Sequence, residues 1–175
     1  MNMVPSFTTL RSFISYQFSA LRMRALRDQL WMKLSGAKSE LVRFPGNAPR
    51  LRFTAYRNLI GIKDIRVAEI VGTLNRDTDF DHQFRPLKKH TLTRWVNAYI
   101  LHEQDGWPPI IVHKVGEQYF VEDEHHRVSV ARSTGMEFME ATVWEYSHHS
   151  QYTDKCQPPK CPEKSPAKVY VTGQT

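Results

Sequence analysis

The sequence predicts an α+β protein: a small mixed sheet with packed helices, preceded by an amphipathic N-terminal helix. Three observations carry that expectation. Residues 110–144 run strand, hairpin turn, strand, helix, strand, with β-branched runs on either side of a small-residue helix. Leu92, Trp95, Val96, Tyr99 and Ile100 repeat at helical steps and form one apolar face. Leu10, Phe13, Ile14, Phe18, Leu21, Leu26, Leu30 and Leu34 recur mostly at three- and four-residue steps near the start.

That first stretch belongs to a basic arm, residues 1–44, which holds seven Lys/Arg against two Asp/Glu. Ser35-Gly36 ends the helix, and Arg11, Arg22, Arg24 and Arg27 decorate it. Such an arm suits packing onto the domain or onto a dimer mate, a membrane surface, nucleic acid, or an organellar presequence. No run reaches the roughly 20 apolar residues of a membrane span. With 175 residues, 41% hydrophobic, one domain with a real core is expected. The net charge of +6 sits in the two ends, since residues 45–150 carry thirteen basic and fourteen acidic side chains.

Residues 45–59, with Pro45, Gly46, Asn47 and Pro49 followed by Arg50, Arg52 and Arg57, suggest a linker. The domain proper spans residues 60–147. Ile62 to Val67 suggests its first strand. Asp77, Asp79 and Asp81 alternate as at the start of a calcium loop, but the Gly and terminal Glu of such a loop are missing, so a loop capping the next element is simpler. Pro86 is placed to open the next helix. Its apolar face is core, while Arg94 and Asn97 lie off it, to line a pocket or face water. Trp107-Pro108-Pro109 breaks the chain. Ile110 to Lys114 and Gln118 to Val121 flank a Gly116 turn. Val128, Val130 and Ala131 begin a helix that Gly135 caps, and Ala141 to Trp144 is the next strand.

The tail, residues 148–175, is rich in Pro and Lys and is expected to be disordered. Cys156 and Cys161 are the only cysteines. With His148 and His149 they fit no familiar zinc spacing. Cysteine use points to a reducing compartment, so a cytoplasmic protein is expected.

The densest chemistry lies at the strand-to-helix turn, Phe120-Val-Glu-Asp-Glu-His-His-Arg-Val-Ser-Val-Ala131. The first N–H groups of a helix lack internal partners and its dipole adds positive charge, so an anion fits there. Arg127 can grip a phosphate bidentately and the histidines can add donors. The other reading is a solvated turn whose charges pair with each other.

Asp123-Glu124-His125-His126-Arg127-Val128-Ser129-Val130-Ala131 resembles the Asp-Gly-His-His-Arg-Val-Ser-Val-Ala motif of ParB-like proteins, with one change. Ile70-Val71-Gly72-Thr73-Leu74-Asn75-Arg76, Asp79-Phe80-Asp81 and Phe84-Arg85-Pro86 resemble an upstream block of such proteins. Over roughly residues 60–146 the chain is similar to the ParB/sulfiredoxin superfamily, which includes ParB amino-terminal domains, sulfiredoxins and free-serine kinases. The resemblance implies a ParB/sulfiredoxin-like fold and a nucleotide, CTP or ATP/ADP, held with Mg²⁺. Carried over by position, His125, His126 and Arg127 face the phosphates and Ser129 sits in the first helical turn. Thr73, Asn75 and Arg76 close the site, and Asp123 or Glu124 holds the Mg²⁺ and serves as base.

The chain also departs from the family. Glu124 replaces a Gly, no Cys stands at the turn, and no Glu follows the first block to act as a kinase base. The Glu-Asn-x-x-Arg block that completes the ParB site is absent, and no helix-turn-helix follows. Two functions are therefore expected to compete. One is nucleotide binding at residues 123–129, with slow hydrolysis or phosphotransfer. The other is a non-catalytic module, DNA-associated through its basic ends or protein-binding, with a homodimer through the N-terminal helix left open.

Overall fold

The computed structural model describes residues 7–36, 40–44, 57–75 and 78–146. Arg76, Asp77, residues 45–56 of the linker and the tail from residue 148, with His148, His149, Cys156 and Cys161, lie outside the described residues.

The fold is α+β. Its helices are α1 (Phe7–Ser35), α2 (Leu92–Gln104) and α3 (His125–Thr134). Its strands are β1 (Val42–Arg43), β2 (Arg57–Arg66), β3 (Ile70–Thr73), β4 (Ile110–Val115), β5 (Gln118–Val121) and β6 (Phe138–Tyr146). They form one mixed sheet in the order β1-β3-β5-β4-β6-β2. The β4–β5 hairpin is antiparallel, as the Gly116 turn requires, and β3 runs parallel to β5.

One core lies between the sheet and α3, built on Ile70, Phe80, Ile110, Val112, Val121 and Val128. A second joins the three helices through Ile14, Phe18, Trp95, Val96, Ile100 and Val130. Trp95 is fully buried and its indole N–H donates to Ser129 Oγ at 2.9 Å. The apolar face of α2 is thus core, as its spacing predicts. Gly135 caps α3 at φ 74°, where a Cβ would be strained. At Gly72 the reason for glycine is space: an added Cβ would fall on the Val42 carbonyl, so β1 lies against β3 only over a bare backbone.

Several boundaries differ from the sequence expectation. The first domain strand is Arg57–Arg66 rather than Ile62 to Val67, so Arg57, Asn58 and Leu59 of the expected linker already pair with β6. This strand is an edge and largely exposed, and Gly61 shifts its register, so no clean alternation marks it. Val67 instead enters a 3₁₀ turn. The strand expected over Ala141 to Trp144 extends to Phe138–Tyr146.

Pro86 does not open α2. It pairs with Phe80 in an isolated bridge, and α2 starts at Leu92 after a 3₁₀ turn at Lys89–Thr91. Residues 85–87 instead pair back along residues 79–81, with Asp81 N–H on the Arg85 carbonyl at 3.0 Å and Leu87 N–H on the Asp79 carbonyl at 2.7 Å. Asp81 holds the turn between them, its buried carboxylate accepting the N–H groups of Gln83 and Arg85 and the Nε of Arg85 at 2.8–3.0 Å. This side chain organises its own loop and caps neither the Lys89–Thr91 turn nor α2, so the cap expected of the Asp ladder is not what Asp81 makes. The loop sets Phe84 at φ 58°, an uncommon conformation for a bulky residue, offset by complete burial of its ring.

The N-terminal arm packs onto the domain. Ile14, Phe18 and Ala25 are buried, Phe18 meets Trp95 edge-on, Arg22 Nε donates to the Leu87 carbonyl, and Asp28 pairs with Arg85 at 2.7 Å. The expected single apolar stripe divides, however. Phe13, Leu30 and Leu34 point away from the core.

Candidate functional site

The parallel strands β3 and β5 end side by side, and their exits are tied together. Leu74 N–H donates to the Val121 carbonyl at 2.9 Å, and Asn75 Nδ2 donates to the Glu122 carbonyl at 3.1 Å. From β5 the chain turns through Asp123 and Glu124 into α3. Beside this turn runs α2. Between them lies a cleft of about 530 Å³, lined by Asn75, Arg94, Asn97, Ala98, Leu101 and the five residues Asp123 to Arg127. That volume lies within the usual range for small-molecule sites.

Of the residues singled out in the sequence, Asn75, Asp123, Glu124, His126 and Arg127 meet here. His125 borders the cleft, but its ring is buried and turned to structural use. Its Nδ1 lies 3.1 Å from the Asp123 carbonyl and its Nε2 2.8 Å from Thr73 Oγ1. A carbonyl only accepts, so in the neutral ring Nδ1 carries the proton and the Thr73 hydroxyl donates to Nε2. Thr73 Oγ1 in turn accepts the Asn75 N–H at 3.2 Å. Phe80 stacks beside the ring at 5.9 Å and Phe84 at 6.2 Å. His125 and Thr73 therefore pin α3 to β3. Ser129 faces α2 and holds Trp95, away from the cleft. Arg76 lies outside the described residues.

His126 stands edge-on to Phe80 at 5.2 Å. Burial, and then the positive charge of Arg94, push its pKa down to about 4, so the ring is neutral at pH 7. Its Nε2 is buried without a hydrogen-bond partner among the described residues. The sign of the resulting pH dependence follows from linkage. A histidine depressed in the folded state contributes stability that is whole above its ordinary value of 6.5. That contribution drains as the pH falls toward 4 and is gone below. We expect urea midpoints of the wild type to drop between pH 7.5 and pH 4.5 by more than those of His126→Gln. Equal drops in the two proteins would show that this ring is not the titrating group.

The N-terminus of α3 is partly closed by its own turn. His125 N–H donates to the Asp123 carbonyl at 3.0 Å and Arg127 N–H to the Glu124 carbonyl at 3.1 Å. Glu124 adopts φ −84°, so the backbone makes no demand for glycine at this position. Its carboxylate accepts the Asp123 N–H at 3.3 Å and does not cap the helix. Positive charge in the cleft thus comes mainly from side chains, Arg94 on α2 and Arg127 on α3, facing Asp123 and Glu124. Arg127 is only weakly tethered, its Nη1 lying 3.4 Å from the Pro108 carbonyl. Among the described residues no group of three or more His, Cys, Asp or Glu is placed to hold a metal. Any cation here would take two carboxylates from the protein and the rest of its shell from ligand and water.

Arg94 and Asn97 were visible in the sequence only as polar residues off the apolar stripe. The helical step joins them to Leu101 on one side of α2, and the fold turns that side toward the charged turn. Scans against protein-family models and searches of curated proteins and of solved structures found no match to the chain.

Proposed function

We propose that the cleft between α2 and the β5–α3 turn binds a nucleotide with Mg²⁺. The reading rests on one observation: two arginines from different helices, two asparagines and two adjacent carboxylates converge on one concavity outside the ends of two parallel strands. Arginine forks suit phosphate oxygens. Asp123 and Glu124 suit a magnesium ion that keeps several waters and bridges to phosphate. The similarity of residues 123–131 to ParB-like proteins points the same way and raises CTP and ATP/ADP as the nucleotides to try. Asn75 and Asn97, which line the cleft, would read the sugar or base. Slow hydrolysis or phosphotransfer would use Asp123 or Glu124, whichever does not hold the metal, as base.

Calorimetry with CTP, ATP, ADP and GTP, with and without Mg²⁺, tests this. We expect micromolar, Mg²⁺-dependent binding, weakened about 10- to 100-fold by Arg127→Ala and by Arg94→Ala, because each removes one charge-assisted contact. Ser129→Ala, remote from the cleft, is expected to leave affinity unchanged. Absence of binding by all four nucleotides would sink the reading.

A second reading keeps the scaffold without nucleotide: a protein- or DNA-associated module. The self-closed N-terminus of α3 favours it, since the first-turn N–H groups of His125 and Arg127 are already spent on the Asp123 and Glu124 carbonyls. Binding to duplex DNA that falls steeply with salt, alongside silence toward nucleotides, would select it.

A further inference from the structure

On the face of the sheet turned away from α3, a buried histidine joins a phenol to a carboxylate. Val112 on β4 faces the core with Val128, so its neighbour His113 points the other way. His113 is 3% exposed, and both its ring nitrogens are engaged. Nε2 lies 3.2 Å from Glu122 Oε2, and Nδ1 lies 3.0 Å from Tyr146 Oη. A carboxylate only accepts, so Nε2 carries the proton. Nδ1 is then the acceptor, and the Tyr146 hydroxyl donates to it. Phe44 covers the imidazole edge-on at 5.9 Å and meets the Tyr146 ring at 5.0 Å. Beside Phe44 and Phe120 an apolar side chain would fill the place of His113 without needing two polar partners. The shielded ring instead connects two groups that reach the surface, Glu122 at 44% exposure and the half-buried Tyr146. A hydroxyl, a base in the accepting tautomer and a carboxylate behind it stand in line, the arrangement that activates a nucleophile.

The strands around the phenol set what it can attack. Across β6, Tyr146 stands opposite Arg57 of β2 and Val115 of β4, and Trp144 stands opposite Leu59 and His113. Residues directly opposite share a face of the sheet. The Arg57 guanidinium lies over the Trp144 ring at 4.6 Å, and Leu59 is 56% exposed. The phenol therefore borders an apolar strip of Trp144, Leu59 and Val115, with one cation beside it.

We propose that Tyr146 is an acyl-accepting nucleophile for esters or thioesters with an apolar acyl chain. The Tyr146 oxygen bonds to the acyl carbon while its proton passes to His113 Nδ1, and Glu122 stabilises the imidazolium that results. The bond from the acyl carbon to the leaving oxygen or sulfur breaks. That atom keeps the electron pair and takes the proton back from His113. Arg57 offers its charge to the carbonyl oxygen as negative charge builds there, and Trp144 and Leu59 receive the chain. The site shares no residue with the cleft lining, so it does not depend on nucleotide binding.

The full chain is treated near neutral pH with 4-nitrophenyl acetate or 4-nitrophenyl butanoate, and acylated tyrosines are read by peptide mass spectrometry. Exposure alone favours Tyr16, which is 71% exposed. Tyr146 should nevertheless be acylated about tenfold faster than Tyr16. His113→Phe should slow Tyr146 about a hundredfold and Glu122→Gln about tenfold, with Tyr16 unchanged in both. Tyr119, packed against the core, reports folding, since a variant that unfolds exposes it to acylation. If His113→Phe unfolds, the surface variant Glu122→Gln decides. Butanoyl should transfer faster than acetyl, and Leu59→Ser should remove that preference. Tyr16 acylated ahead of Tyr146, or a Tyr146 rate indifferent to Glu122→Gln, overturns the proposal. Equal rates for the two esters overturn the apolar chain.

Discussion

Asp81→Ala is expected to lower folding stability by about 3–5 kcal/mol, seen as a fall of roughly 10 °C in the melting temperature. The Asp81 side chain is 2% exposed and both its oxygens are engaged, by the Gln83 and Arg85 N–H groups and by the Arg85 guanidinium. Removing it takes one of two carboxylate partners from a guanidinium that is itself 15% exposed and leaves two loop N–H groups without acceptors. It also frees Phe84 from the turn that holds its positive φ, and Phe84 flanks the His125 ring. Arg85 further reaches Asp28 on α1, so the loss should spread to the docking of that helix. Asp81→Asn, which keeps shape and one acceptor, should cost less than half as much. A melt for Asp81→Ala within 2 °C of wild type would show that the loop holds itself together without the carboxylate.

Trp95→Ala should be comparably severe, about 3–5 kcal/mol by urea unfolding, because a fully buried indole leaves a cavity among three helices that cannot all collapse at once. Trp95→Phe separates two causes. It retains most of the apolar contact with Phe18 and Ile14 but leaves Ser129 Oγ without its donor, and should cost about 1–2 kcal/mol. The difference between the two variants measures packing alone. Arg94 and Asn97 ride on the same helix, so Trp95→Ala should also weaken any ligand of the cleft without touching it. Equal losses in the two variants would mean that the hydrogen bond, rather than packing, holds α2 in place.

The elements that the sequence displayed well are those whose contacts are local or periodic. The β4–β5 hairpin, α3 and its Gly135 cap, and the core face of α2 all lie within a few residues of where periodicity and turn chemistry set them. The misplaced start of α2 has a different origin. Pro86 suits a first helical turn, but residues 85–87 pair back along residues 79–81, with Leu87 N–H on the Asp79 carbonyl, and the helix starts six residues later. In α1 the step from Leu21 to Leu26 is five residues, about 140° around the helix, so one apparent stripe crosses from the buried side to the exposed side.

The candidate site divides along the same line. Asp123, Glu124, His126 and Arg127 are neighbours in sequence, and they remain neighbours in the cleft. His125 looks identical to His126 in the sequence, yet successive helical residues point about 100° apart. One ring goes inward to Thr73, 52 residues away, and the other stays at the cleft. Nothing local distinguishes them. Likewise only the docking of α2 against α3 brings Arg94 to the turn.

The strand β2 has one further consequence. Among the described residues it closes one end of the sheet, with ten residues whose outer backbone groups meet no neighbouring strand there. A straight apolar margin of that length would be a template for sheet growth, chain upon chain. Here Gly61, at φ 104°, breaks the register after Leu59, and Arg57, Lys63, Asp64 and Arg66 put charge along the margin. A kinked and charged border cannot match a copy of itself in register. The irregularity that hid this strand from its sequence pattern thus also guards the folded protein against polymerising through its sheet.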